Sequence, residues 1–324
     1  MNKMKLEEIR HVKVTPEMTL NQLIEEMRVG AGFGAKHLAR AVDIFMDMVK
    51  DKDCTIFLTV AGAMVPGGMK QVLIDFLELG VVDALIVTGA TLTHDLIEAF
   101  GYKHFHGSAI ADDEALSKEG LNRIYNVLLP NEAYVKFEEK IQTLLDKASK
   151  AELLCSEFLT YLGNQLSDKP SIMKIAAKRN IPIFCPAIAD SILGFQIWMY
   201  NQTHPLKVDI LGDQKRIIDI AYESKRKGAL IIGGGTPKHY VAMAMQVTSK
   251  GLDYAIQITT DRPEPGGVSG ASLQEAISWK KVDAKAKYVD VICDATIALP
   301  IMLGAISNRM KSISRENKVF PVYK

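Results

Sequence analysis

Six short apolar runs, each rich in β-branched residues and separated from the next by a stretch with helical spacing, constrain the fold of this chain more than any other feature. They fall at 54–60, 84–87, 181–185, 229–232, 254–258 and 289–293. Their hydrophobicity is continuous rather than alternating, as a strand requires when both of its faces are covered. Such strands, alternating with helices, predict an α/β fold with a doubly wound, mostly parallel, Rossmann-like sheet. A chain of 324 residues without a repeat or a low-complexity linker predicts one large domain over 31–324, preceded by an N-terminal arm and helix over 1–30. In that first segment Thr15, Pro16 and Met18 read as a helix start with Thr15 as cap, and Leu20, Leu23, Ile24 and Met27 mark one face. A glycine-rich break at Gly30, Gly32 and Gly34 precedes a second helix over 35–50. The segment of about 112–170 shows helical pattern almost throughout, broken at Pro130-Asn131, and reads as a helical insertion.

In an open parallel sheet, ligands bind beyond the carboxyl ends of the strands, where small residues let backbone N–H groups approach a phosphate at a helix N-terminus. The chain places such residues there: Thr88-Gly89-Ala90 after the second run, Ala189-Asp190 after the third, Gly233-Gly234-Gly235 after the fourth and Asp294-Ala295 after the last. That arrangement suits a nucleotide, although the triple glycine does not complete G-x-G-x-x-G and serves equally as a tight turn. His239 by itself reads as a structural histidine. His104 and His106 lack a further ligand at metal spacing, so no metal site is predicted. A net charge of +1 gives no electrostatic case for nucleic acid or an anionic membrane as partner. No apolar run approaches the ~20 residues of a membrane span, and the N-terminus lacks the apolar core of a signal peptide. A cytoplasmic protein is expected. Cys54, Cys155, Cys185 and Cys293 form no C-x-x-C pair and read as reduced thiols.

The run 275–281 (EAISWKK) sets two lysines directly behind a tryptophan. A lysine amine is nucleophilic only when neutral, and an apolar wall or a second cation favours that form. Trp279 offers the wall and Lys280 the cation for Lys281. The same run also fits a solvated pair at the end of a surface helix, and the spacing leaves both readings open.

Together with this run, 233–239 (GGGTPKH), 253–260 (DYAIQITT), Asn122-Arg123 followed by 129–132 (LPNE), and 293–295 (CDA) resemble the deoxyhypusine synthase family. The resemblance extends from about residue 30 to the C-terminal helix, with the motifs in the family's order. It implies an NAD-dependent transferase on a Rossmann-like fold, a homo-oligomer and usually a homotetramer, with active sites at subunit interfaces. In that family NAD takes a hydride from spermidine, a lysine captures the resulting imine, and 1,3-diaminopropane leaves. The 4-aminobutyl group then passes to one lysine of the translation factor 5A precursor, and the hydride is returned. By motif, Lys281 matches the imine-forming lysine, Trp279 the wall along the polyamine, and His239 the residue beside the reacting amine. The resemblance places NAD on Gly62, Ala63, Met64, Val65, Pro66, Thr88, Gly89, Ala90, Asp190, Gly234, Thr260, Asp261, Asp294 and Ala295.

The chain departs from the eukaryotic pattern where the polyamine is held. His94, Phe195, Met243 and Val268 stand in place of acidic residues, and the Gly266-Gly267-Val268 stretch resembles the archaeal branch and its bacterial relatives. Desolvated ammonium groups still need counter-charges, so Asp261, Glu264 and Glu275 become the candidates. Lys280 stands where many members have glycine. A homospermidine synthase-like enzyme that uses putrescine as acceptor, and a catalytically silent NAD-binding scaffold, are the alternative functions. The 14 methionines suit apolar faces shared between copies of an oligomer.

Overall fold

The computed structural model describes residues 8–148, 152–167 and 169–321. Two helices lead, α1 (Leu20–Gly30) and α2 (Phe33–Lys50). The chain then alternates β1 (Cys54–Val60), α3 (Lys70–Glu78), β2 (Ala84–Val87) and α4 (Gly89–Ala99). A middle section follows with β3 (Phe105–His106), α5 (Asp113–Lys118), β4 (Leu121–Ile124), β5 (Val127–Pro130), α6 (Asn131–Asp146), β6 (Glu152–Leu154), α7 (Cys155–Gln165) and α8 (Ile172–Lys178). After β7 (Ile183–Phe184), α9 (Ile192–Tyr200), β8 (Lys207–Asp209) and α10 (Ile210–Glu223) the alternation resumes. It ends with β9 (Arg226–Ile232), α11 (Gly235–Gln246), β10 (Leu252–Thr259), α12 (Glu275–Ser278), β11 (Val282–Ile292) and α13 (Ala295–Met310).

The central sheet has six strands in the order β11-β10-β9-β1-β2-β7, and every pairing in it is parallel. Successive residues of a strand point to opposite faces, and the core divides accordingly. Ile56, Leu58 and Val60 pack with α2 residues such as Phe45 on one side. Phe57 packs with Ile217, Tyr240 and Val241 of α10 and α11 on the other. Each of the six apolar runs contributes one strand, all of whose residues are buried in β1 and β2. This is the doubly wound sheet that continuous hydrophobicity predicts.

Two local expectations are corrected. The first helix begins at Leu20, and its cap is Thr19 rather than Thr15, because Thr19 and Gln22 form a reciprocal capping box that Met18 cannot supply. The segment 112–170 is not helical throughout: β4 and β5 form an antiparallel hairpin that β3 joins, and β6 pairs in parallel with β8. The Asn122-Arg123 motif builds this hairpin. Arg123 grips the carboxylate of Asp113 with two nitrogens, and Asn122 donates to the Leu129 carbonyl and the Asn131 side chain. Among the described residues, no helix is long and apolar enough to cross a membrane.

Candidate active site

The carboxyl ends of β1, β9, β10 and β11 open into a cavity of about 340 Å³, lined among others by Gly62, Gly234, Thr260, Asp261, Ser269 and Asp294. A second cavity of about 600 Å³ shares Asp294 and runs between the loop after β1, which supplies Ala63, Val65 and Pro66, and the hairpin turn at Tyr125. Both volumes lie within the ~300–1,000 Å³ of small-molecule sites. Asp294 caps α13, its Oδ1 accepting from the Thr296 N–H at 2.7 Å and hydroxyl at 2.8 Å. It stays exposed at the junction of the two cavities.

The triple glycine is required by its surroundings. Gly233 and Gly235 hold φ of 73° and 56°, the left-handed region that disfavours side chains. A Cβ on Gly234 would lie 2.5 Å from the Ser269 Cα. Ser269 belongs to the 260–274 loop, which is fastened at several points. The Gly235 N–H donates to Ser269 Oγ at 2.9 Å, Gln257 Nε2 to the Ser269 carbonyl at 2.5 Å, and the Leu273 N–H to the Asp290 carboxylate at 3.1 Å. Lys238 Nζ donates to the Val268 and Ala271 carbonyls at 2.8 and 2.5 Å. The tip of this loop presents Glu264, Gly266, Gly267 and Val268 to solvent.

The loop leads directly into the Trp-Lys-Lys run. The helical part is short: α12 ends at Ser278 with Trp279 as its C-cap. Lys280 follows with φ of 58°. Its N–H donates to the Ile277 carbonyl and that of Lys281 to the Ala276 carbonyl, which closes the helix end. The position therefore favours glycine, and the left-handed turn sends Lys280 to the exposed surface. Lys281 Nζ lies 5.1 Å from the centre of the Trp279 ring, which is itself 55% exposed. The neighbouring cation is Lys238 rather than Lys280: the Lys281 charge pushes Lys238 down, after burial as the first cause. Burial and then the Lys281 charge also hold His239 below the usual imidazole range. Lys280→Gly is expected to stabilise the protein by ~1 kcal/mol, the cost of a side chain in this conformation, and to leave the reactive position at Lys281. Thermal unfolding of the variant measures the first expectation and chemical labelling of Lys281 the second.

The remaining predicted residues gather elsewhere. Thr88 caps α4, accepting from the Thr91 N–H, and a Cβ on Gly89 would lie 2.4 Å from Ser191 Oγ. Ser191 follows Asp190 and caps α9, so the N-termini of α4 and α9 pack side by side. His94 sits on α4, where burial lowers it to about 4. His94 Nδ1 meets His104 Nε2 at 2.9 Å, and His104 Nδ1 meets Glu98 Oε1 at 2.8 Å. Phe195 lies on an exposed apolar face of α9, its ring 5.4 Å from that of Trp198. Thr88, Gly89, Asp190 and Phe195 flank β2 and β7, and Glu98 and His104 beside His94 line the second cavity, whereas Val268, Glu275, Trp279 and Lys281 flank β10 and β11 at the other edge.

Sequence reasoning missed Lys238 and the partners of His94. A lysine beside a histidine reads as solvated, yet helical spacing puts Lys238 and Val241 on the buried face of α11. Glu98 stands four residues after His94, the spacing that brings two side chains to one helix face.

The family model for deoxyhypusine synthase matches residues 22–306. The chain belongs to the deoxyhypusine synthase family. The probable deoxyhypusine synthase 1 of Methanosarcina mazei is 42% identical over 302 residues, covering 93% of this chain and 95% of that protein. The corresponding protein of Archaeoglobus fulgidus is 40% identical over 284 residues, covering 88% and 93%. A crystal structure of a candidate deoxyhypusine synthase from Entamoeba histolytica superposes with a TM-score of 0.64 at 19% identity, over 95% of this chain and 98% of that one. Membership makes the chain a transferase enzyme of the deoxyhypusine synthase type, and the parallel sheet is the family's fold.

Proposed function

We propose that this enzyme transfers the 4-aminobutyl group of spermidine, through an imine on Lys281, to a lysine of the translation factor 5A precursor, with NAD in the strand-end groove. One observation carries the reading: His239, one turn along the helix whose first residue lines the groove, lies within electrostatic reach of Lys281, whose amine rests against Trp279. The groove suits a dinucleotide. Two adjoining cavities meet at an exposed carboxylate, Asp294, able to accept from ribose hydroxyls. When bound, NAD supplies the reversible two-electron oxidation that turns the donor amine into an imine. His239, held below the usual imidazole range, is neutral at pH 7 and able to accept the proton that the donor ammonium must lose. Lys281 then adds to the imine carbon and expels 1,3-diaminopropane, the acceptor lysine later displaces Lys281, and the imine left on the acceptor regains the hydride and a proton to become the 4-aminobutyl amine. Trp279, beside this amine, offers a flat face to an aliphatic chain.

The proposed amine-binding residues divide between opposite edges of the sheet. Phe195 follows β7 and Trp279 precedes β11, the outermost strands, which five spacings of ~4.8 Å set roughly 24 Å apart. Two copies, each offering one edge, can build a shared site, and the exposed apolar face of α9 with Ile192, Phe195 and Trp198 provides a surface for association. This supports the expected homo-oligomer.

Two measurements test the reading. Incubation with NAD and spermidine, without an acceptor, should release 1,3-diaminopropane in proportion to Lys281 modified; no release would refute it. Glu264→Gln and Glu275→Gln are expected to raise the spermidine KM several-fold, ~1 kcal/mol each as for solvated charge pairs, and to leave NAD affinity near its starting value. Unchanged spermidine kinetics in both would assign the amine to other groups.

A further inference from the structure

We propose that Lys238 is a positioning residue that fastens the 260–281 segment to α11, so that the rim of the groove and the Lys281 amine move as one body. The inference rests on the proposed role of Lys281 and adds a residue that the family resemblance does not assign. Lys238 is only 6% exposed, and a lysine so buried is uncommon without partners. Its Nζ donates to the carbonyls of Val268 and Ala271, two backbone groups of a loop that has no strand or helix of its own between β10 and α12.

The charges around it come from every element that packs there. Asp290 of β11 and Glu275 of α12 attract it, while Lys281 repels it. Asp290 also accepts from the Leu273 N–H, so the same carboxylate holds the far end of the loop. Lys238 thus closes a loop of contacts: α11 to the carbonyls at 268 and 271, then Leu273 to Asp290, and Asp290 back to Lys238 through charge. On one side of this clamp the Ser269 hydroxyl holds the groove glycine Gly235. On the other side the chain runs through α12 directly to Trp279 and Lys281. Burial lowers Lys238 to about 8. Loss of one proton leaves two N–H donors for the two carbonyls but removes the attraction to Asp290 and Glu275. Burial outweighs that attraction, so the closed form binds fewer protons than an opened form with Lys238 in water, and the clamp tightens as pH rises through about 8.

Lys238→Met and Lys238→Arg test this. Hydrogen exchange reads the clamp without any chemistry: in Lys238→Met the amides of 268–273 should exchange at least tenfold faster, while those of β1 and β9 keep their protection. Borohydride trapping on Lys281 in the presence of NAD and spermidine should slow at least tenfold in Lys238→Met, with Lys238→Arg, which keeps the charge and the donors, recovering part of the loss. In the wild-type protein, protection at 268–273 relative to the intrinsic rate should rise above pH 8, and in Lys238→Met it should no longer depend on pH. Wild-type protection at 268–273 in Lys238→Met would overturn the proposal. So would equal loss of protection across β1 and β9 in both variants, which would make Lys238 a general support of the core. Failure of wild-type trapping with the exchange result intact would count against the role of Lys281 and leave the clamp standing.

Discussion

Lys281→Ala is expected to abolish aminobutyl transfer, a loss of roughly a thousandfold or more, as when an enzyme nucleophile is removed. NAD binding should survive, because no groove residue is touched: the cavity at the strand ends is lined by Gly62, Gly234, Thr260 and Asp294, and Lys281 lies before the first residue of β11. Lys280 cannot take over. It sits in a left-handed conformation that turns it to the surface, while the aromatic wall of Trp279 faces Lys281. Steady-state transfer and NAD titration of the same preparation measure both halves of the expectation. Appreciable transfer by Lys281→Ala would mean that the donor carbon never becomes bound to the enzyme.

Mixing two inactive variants is expected to restore activity. Lys281→Ala leaves the β2–β7 edge intact, and a His94→Ala, Phe195→Ala double variant leaves the Trp279 and Lys281 edge intact. If one site takes an edge from each of two copies, a mixed dimer contains one site with both edges intact and one with neither. Random exchange then makes half of the dimers mixed and recovers about a quarter of wild-type activity. Activity measured after co-refolding, against each variant refolded alone, checks this. No recovery, with mixed oligomers demonstrated, would place both edges of a site in the same chain and contradict the shared arrangement.

Much of the fold was legible because burial on both faces writes itself plainly into a strand. Runs such as 54–60 and 254–258 have no polar face to confuse the pattern, and each became a fully buried strand or the centre of one. The hairpin at 121–130 was missed for the opposite reason. Its residues are mostly half-buried, and Leu121, Ile124 and Leu128 satisfy a helical period while the strands actually depend on Arg123 and Asn122 for their fastening. The true cap of α1 lies four residues beyond Thr15, in a Thr19–Gln22 reciprocity that is visible once both side chains are considered. At the site, the glycines and Asp294 were legible from their position after strands. Lys238 was not, since a cation on a buried helix face has no pattern of its own until the carbonyls it serves are known. Nor could the sequence show that Phe195 and Lys281 belong to opposite edges of the sheet, because that is fixed by strand order rather than by spacing along the chain.

The central claim is that the aminobutyl group of spermidine travels by way of Lys281 to a protein lysine, and one measurement addresses it most directly. The protein is incubated with NAD and spermidine labelled in its butyl portion, with the translation factor 5A precursor in one reaction and putrescine in another, and the label is followed by mass spectrometry. The account predicts a single precursor lysine carrying the 4-aminobutyl group, with release of 1,3-diaminopropane, and no comparable transfer to putrescine. Label found in homospermidine with the precursor unmodified, or in neither acceptor, would contradict it.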